Sequence, residues 1–102
     1  MQCVVYKNEG ESQNYAPYLL DVQADMLSTL DSRVMVPLVR VAEFGRRAGR
    51  LHPVFTVCGE EVVMATHLLA AIRCSGLGRA VDGLTGQRNE IIGALDVLLV
   101  GV

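Results

Sequence analysis

The order of its apolar segments constrains the fold of this 102-residue chain more than any single motif does. Short runs rich in β-branched residues fill the first two thirds, separated by glycine, proline and polar residues. Only the C-terminal segment carries a long apolar stripe at i, i+3, i+4 spacing. Such short runs are typical of strands, and the stripe is typical of an amphipathic helix. The sequence therefore predicts a mainly β protein, an antiparallel sheet followed by a C-terminal α-helix, in a single domain over residues 1–102.

The apolar runs predict five strands, at residues 3–6, 18–23, 33–39, 54–58 and 61–66. Because proline lacks the N–H that pairs strands, we expect Pro37 at an edge, a bulge or a strand end. Glycine at the first central position favours a type II′ turn at Gly59 and Glu60. Residues 68–83 fit either a helix or a buried strand. Residues 41–50, which are rich in glycine, are expected to form an irregular, mobile excursion.

The final segment predicts a helix with Thr85 as its N-cap. The stripe that we expect to pack on the sheet contains Arg88, Ile91, Ile92, Leu95, Leu98, Leu99 and Val102. Val100 falls on the opposite face, so the pattern predicts an apolar side chain in solvent. Gly101 and the lack of a basic residue after Arg88 predict a weakly stabilised helix end.

Composition narrows the possible functions. Apolar residues make up 51% of the chain and charged residues 20%, with a net charge of −2, which favours a globular protein that does not bind nucleic acid through bulk charge. We expect a cytoplasmic protein, because the chain lacks a secretory leader pattern and an apolar segment of membrane-spanning length. The three cysteines are expected to be reduced and buried.

No residue spacing predicts a catalytic centre, a metal site or a cofactor site. His52 and His67 pair in sequence with neither a nucleophile nor other metal ligands. The excursion carries Arg40, Arg46, Arg47 and Arg50. Guanidinium groups bind carboxylates and phosphates in pairs of hydrogen bonds, so this segment is a candidate site for an acidic partner, with a solvated loop as the alternative.

Several motifs along the chain resemble those of the CcdB toxins, in the same order. They are D-V-Q-A-D at 21–25, R-V-M-V-P-L at 33–38, L-H-P-V-F at 51–55, M-A-T at 64–66 and the helix at 88–96. The resemblance implies an SH3-like barrel of the CcdB and MazF type that forms a homodimer. It also implies a non-enzymatic toxin that binds the gyrase A subunit, traps gyrase on cleaved DNA and is neutralised by a CcdA-type antitoxin. We expect direct nucleic acid binding only in complex with that antitoxin, and no contact with a membrane.

The resemblance also assigns binding residues. The gyrase-contacting positions fall on Met26, Leu27, Asp96, Leu99, Val100, Gly101 and Val102. The candidate antitoxin-binding residues, Arg40, Arg46, Arg47 and Arg50, come from the charge of the excursion and not from the resemblance. The best-known CcdB proteins end in Phe-Trp-Gly-Ile, whereas this chain ends in Leu-Val-Gly-Val and has no tryptophan. Loss of a buried tryptophan anchor removes several kcal/mol from a typical interface.

Two alternatives remain open on the sequence. The first is a ribonuclease of the MazF or Kid type, for which Arg73, Arg79, His67 and Asp82 would supply acid–base groups and phosphate contacts. The second is a remnant that binds antitoxin through the arginine-rich excursion without poisoning gyrase.

Overall fold

The computed structural model describes residues 1–102, whose strands form one antiparallel sheet. All five predicted strands are confirmed, with ends displaced by at most two residues. Two more strands lie within residues 68–83, where the sequence allowed either element. The strands are β1 (Val4–Lys7), β2 (Tyr18–Asp21), β3 (Ser32–Arg40), β4 (Val54–Val57), β5 (Glu60–Met64), β6 (Ala70–Arg73) and β7 (Ala80–Gly83).

The two ends of the sheet approach each other through the β4–β5 turn and β7. The strand order is β4-β5-β3-β2-β1-β7, and β6 pairs with the first part of β3. The backbone N–H of Cys58, in the β4–β5 turn, donates to Oδ2 of Asp82 on β7 at 2.9 Å. The sheet is therefore curled into a half-open antiparallel barrel, which confirms the expected fold class.

Pro37 lies in the middle of the central strand β3, so the expectation of an edge, a bulge or a strand end is wrong. On the side away from β2, strand β3 has two successive partners. Its residues up to Met35 pair with β6, and its residues from Leu38 onward pair with β5. The N–H and C=O of a strand residue point to the same side. The carbonyl of Pro37 accepts from Ala65 on this side at 3.0 Å. The missing N–H therefore faces the junction between two partner strands, where a ladder donor is not needed.

The β4–β5 hairpin turns one residue earlier than predicted. Val57 pairs with Glu60, so the central residues are Cys58 and Gly59. Their φ angles are 51° and 79°. Two positive φ angles define a type I′ turn, so the expected type II′ turn is wrong.

The main core lies between the inner face of the sheet and α2 (Arg88–Val100), which buries Ile91 and Ala94. The buried stripe is shorter than predicted, because the last turn of α2 extends beyond this core. Leu99 and Val102, expected to be buried, are 72% and 71% exposed. Thr85 is not the N-cap; it begins a 3₁₀ turn that leads into the helix. No helix combines the length and apolar character needed to cross a membrane.

The remaining segments depart from expectation in two respects. The excursion contains α1 (Val41–Phe44) and a 3₁₀ turn at Gly49–Leu51, so it is not irregular throughout. All three cysteines are free thiols, but only Cys3 is buried, and burial raises the pKa of its thiol. Cys58 and Cys74 are exposed because they lie in a turn and just after a strand, outside the core.

A buried ion pair joins β2 to β3. Nε and Nη2 of Arg33 donate to Oδ2 and Oδ1 of Asp21 at 3.0 and 3.1 Å. The side chain of Asp21 is fully buried and that of Arg33 is 5% exposed. Arg33 also donates to the carbonyl oxygen of Gln23 at 3.1 Å, and the N–H of Gln23 donates to Asp21. The charges are thus compensated by directed bonds, as a buried pair requires.

Removing one member of this pair should destabilise the fold strongly. Asp21→Asn leaves the buried Arg33 guanidinium with only the more distant carboxylate of Asp25, at 3.8 Å, so we expect the free energy of unfolding to fall by about 3–5 kcal/mol. Urea denaturation followed by circular dichroism measures this loss. The control is Glu60→Gln, which breaks the half-exposed Arg40–Glu60 pair and should leave the midpoint unchanged. Equal effects of the two substitutions would contradict a stabilising role for the buried pair.

Candidate binding surfaces

Met26 lies in the 3₁₀ turn Asp25–Leu27, which polar side chains of the D-V-Q-A-D motif support from within. The side-chain amide of Gln23 donates to the carbonyl oxygens of Leu27 and Ser32, at 3.1 and 3.3 Å. These bonds tie the turn to the start of β3. Met26 itself is 86% exposed. The motif therefore holds the backbone in place while an apolar side chain faces solvent.

The residues Leu99, Val100, Gly101 and Val102, here called the α2 tip, form a second exposed apolar surface. Val100 is 68% exposed, as predicted from the helical projection. Asp96, one turn earlier, is also exposed. Gly101 adopts a left-handed conformation, and its N–H donates to two carbonyl oxygens of the preceding turn at 3.0 and 3.1 Å. The helix end is thus capped by Gly101, where the sequence predicted only a break, and the expected lack of a basic residue in the last turn is confirmed.

The contacts of the Met26 turn do not lead to the α2 tip. Oδ1 of Asp25 accepts the N–H of Gln2 at 2.7 Å, and Oε1 of Gln2 accepts Nε of Arg88 at 3.1 Å. Arg88 is the first residue of α2, and a 13-residue helix is about 18 Å long. The Met26 turn is therefore connected by hydrogen bonds to the first residue of α2, whereas the α2 tip lies at the opposite end of the helix.

The four arginines of residues 40–50, here called the arginine loop, have different surroundings. Arg40 donates to Glu60 at 2.7 Å and lies 3.8 Å from Glu43, so two carboxylates of the chain neutralise it. Arg46, Arg47 and Arg50 form no ion pair within the chain. These three guanidinium groups have no carboxylate partner in the chain and can meet an acidic partner, although Arg47 also donates to the carbonyl oxygen of His52 at 3.1 Å.

Two histidines that are 15 residues apart in sequence meet beneath the arginine loop. Nε2 of His52 lies 2.9 Å from Nδ1 of His67, and the ring of Phe44 contacts that of His52 edge-on at 4.8 Å between centroids. His52 is buried, whereas His67 is exposed. Burial, together with the neighbouring His67 and Arg47, lowers the pKa of His52. The sequence did not predict this pair. His67 lies in the turn after β5, and no local sequence pattern shows that this turn packs beside the arginine loop.

The four residues considered for ribonuclease chemistry are not assembled into one site. Asp82 accepts from Cys58, two residues before the start of β5, whereas His67 lies three residues after the end of that strand. A five-residue strand separates its ends by about 13 Å. Arg73 lies at the end of β6 opposite Ser32, and Arg79 precedes β7. An acid–base group and a phosphate-binding arginine therefore do not converge around His67.

The fold matches that of a protein of known structure. A solved structure described as an endoribonuclease in complex with its cognate antitoxin, from a mycobacterial species, superposes with a TM-score of 0.75 at 16% sequence identity. The match covers 97% of this chain and 93% of that one. At this identity the likeness shows a shared fold and leaves the activity open.

Comparison of the sequence with models of protein families identifies the family of this chain. The family model for the CcdB protein matches residues 2–101, and the chain belongs to the CcdB family of toxin–antitoxin toxins. CcdB toxins are in general not enzymes. The expected family is thereby confirmed.

Substitutions at the α2 tip should leave the monomer fold intact. Leu99 and Val100 are largely exposed, so Leu99→Ser and Val100→Ser should change the free energy of unfolding by less than about 0.5 kcal/mol. Ile91→Ala, on the buried face of the same helix, should lower it by about 2–5 kcal/mol because it leaves a cavity. Urea unfolding at a concentration where ultracentrifugation finds only monomer provides the comparison. A loss above 2 kcal/mol for Val100→Ser would place the tip in the core.

Proposed function

We propose that this chain is a toxin that binds the gyrase A subunit and holds gyrase on cleaved DNA, without catalysing a reaction itself. The observation that carries this proposal is the exposure of the α2 tip. Leu99 and Val100, at the end of α2, and Val102, just beyond its C-cap, are each about 70% exposed, whereas the helix buries Ile91 and Ala94 on its other face. A capped helix that presents three neighbouring apolar side chains to solvent is suited to bind another protein.

The chemistry of the tip suggests how it binds. Burial of a leucine or valine side chain contributes about 1.5–3 kcal/mol, so the three apolar residues can supply a useful part of an interface. The exposed carboxylate of Asp96 suits an arginine or lysine of the partner. Because leucine and valine replace the family's phenylalanine and tryptophan, we expect weaker binding per tip than in the best-known relatives.

We propose that the toxin acts as a homodimer in the cytoplasm, where gyrase is found. One tip and one Met26 turn expose little apolar area compared with the roughly 800 Å² per partner of a stable interface. A symmetric dimer presents each surface twice, and linked contacts strengthen binding without any new type of contact. The dimer thus offsets the small size of each surface.

We propose that an antitoxin of the CcdA type binds the arginine loop through acidic residues. Arg46, Arg47 and Arg50 lack carboxylate partners within the chain, whereas Arg40 is already paired. We therefore expect Arg40 to contribute less than the other three. Nucleic acid contacts are expected only through the bound antitoxin.

The ribonuclease alternative rests on the fold shared with an endoribonuclease. It is the weaker candidate, because His67 is engaged with His52 and lies away from Asp82. Purified protein should leave RNA intact. Specific RNA cleavage that His67→Ala abolishes would favour the ribonuclease.

The gyrase proposal predicts a tip-dependent poison. Purified protein should bind the dimerisation fragment of its host's gyrase A subunit and increase gyrase-dependent DNA cleavage. Val100→Ser and Leu99→Ser should each weaken binding by about tenfold or more, since a residue at the centre of an interface contributes over 1 kcal/mol. Val41→Ser, at an exposed valine of α1, is the matched control. Absence of both binding and cleavage would reject the proposal.

The antitoxin proposal predicts a charge-dependent complex. Arg46→Ala and Arg47→Ala should each weaken binding of an acidic CcdA-type tail by about threefold to tenfold, and added salt should reduce the difference. Arg73→Ala, at an exposed arginine on β6, should leave the affinity unchanged. Isothermal titration calorimetry measures these affinities. If antitoxin binds tightly while expression of the chain causes no growth arrest, the chain is a non-poisoning remnant.

A further inference from the structure

Two hydrogen bonds anchor Leu51 and His52, the residues that directly follow the arginine loop, to the 3₁₀ turn Thr66–Leu68. The hydroxyl of Thr66 donates to the carbonyl oxygen of Leu51 at 2.5 Å. The second anchor is the His52–His67 bond at 2.9 Å. Thr66 is fully buried, and its hydroxyl does not titrate. Only the histidine anchor can respond to pH.

The contacts of His52 fix the position of every imidazole proton. The backbone N–H of Ala48 donates to Nδ1 of His52 at 2.8 Å, so this nitrogen carries no proton. A neutral His52 must then hold its proton on Nε2 and donate it to Nδ1 of His67. A neutral His67 in turn holds its proton on Nε2. The chain of bonds from Ala48 to His67 exists in this one neutral state.

We propose that the His52–His67 pair is a proton-sensitive latch that holds the arginine loop in one conformation at neutral pH and releases it in mild acid. A proton added to Nδ1 of His52 faces the N–H of Ala48, and a proton added to Nδ1 of His67 faces the N–H of His52. Each case sets two donors against each other across less than 3 Å. The first case breaks the Ala48–His52 bond and the second breaks the His52–His67 bond, so in either case the arginine loop loses a hydrogen bond next to Arg47.

No neighbouring carboxylate forms a hydrogen bond that would stabilise a protonated, positively charged imidazole of His52 or His67. The charged groups on the elements packed around the pair are Arg33, Arg40, Glu43, Arg46, Arg47, Arg50, Glu60, Glu61, Arg88, Glu90 and Asp96. The carboxylates of Glu43 and Glu60 pair with Arg40, and no carboxylate bonds to either imidazole. Arg47 donates to the carbonyl oxygen of His52 at 3.1 Å, so its position depends on the latch.

The direction of the pH effect follows from the lowered pKa of His52. The unfolded or released imidazole titrates near its ordinary value of 6.5 and binds protons more readily than the latched one. The stabilisation from the latch is therefore complete above about pH 6.5 and is lost as the pH falls through the lowered value. The latch concerns the loop itself and does not depend on which partner the arginines bind.

Nuclear magnetic resonance of the full chain tests the latch directly. At pH 7.5, nitrogen-15 spectra should show His52 protonated on Nε2 and not on Nδ1. Between pH 7.5 and 5.0, the hydrogen-exchange protection factor of the Ala48 amide should fall tenfold or more. The amides of Val36 and Leu38 in the core should keep their protection, which shows that the fold is intact.

Two variants separate the latch from general loosening. His52→Asn keeps an oxygen acceptor for Ala48 near the position of Nδ1 but cannot titrate, so protection of Ala48 should become independent of pH. His52→Phe removes the acceptor, so Ala48 should be unprotected at both pH values. Constant protection in the wild-type chain down to pH 5.0, or an equal loss in His52→Asn, would overturn the proposal.

Discussion

The buried bidentate pair between Asp21 and Arg33 is the interaction on which the exposed Met26 turn and the sheet beside it depend. Two charges removed from water are stable only if their hydrogen bonds are satisfied by fixed partners. Here those partners belong to β2, β3 and the segment that follows β2. The pair therefore fixes the direction in which the chain leaves β2. The motif residues that resemble a binding signature serve mainly as the internal support of a turn whose apolar residue is presented to solvent.

The same division between support and presentation is found in α2. Ile91 and Ala94 hold the helix on the sheet, and the left-handed Gly101 satisfies the last carbonyl groups. A frayed end would expose apolar side chains in many orientations, whereas a capped end holds them in one. Binding then requires less ordering of the tip, which favours affinity for a given apolar area.

Sequence patterns predicted the regular part of the fold well. The five β-branched runs and the helical stripe identified strands and helix, and the exposure of Val100 followed from projection alone. The errors occur where a long-range partner decides the outcome. Pro37 is tolerated in a central strand because two different strands meet beside it, and Leu99 is exposed although it shares the apolar stripe of the buried Ile91. Neither fact can be predicted from the neighbouring residues in the sequence.

The candidate sites show the same limit. The family resemblance located the exposed residues, but periodicity could not show that Arg40 is already paired or that His52 and His67 meet beneath the loop. Both depend on β5 and the turn after it folding back against the arginine loop. Contacts of this kind join residues 15 to 20 positions apart, beyond the range of any helical or strand repeat.

We propose that the α2 tip binds another protein instead of completing the interior of this one. The decisive measurement follows the methyl resonances of Leu99, Val100 and Val102 during titration with the host's gyrase A dimerisation fragment. These methyl signals should shift or broaden at stoichiometric fragment, while the signal of buried Ile91 stays in place. Unchanged tip signals, or binding that perturbs only residues remote from the tip, would rule out binding through the α2 tip.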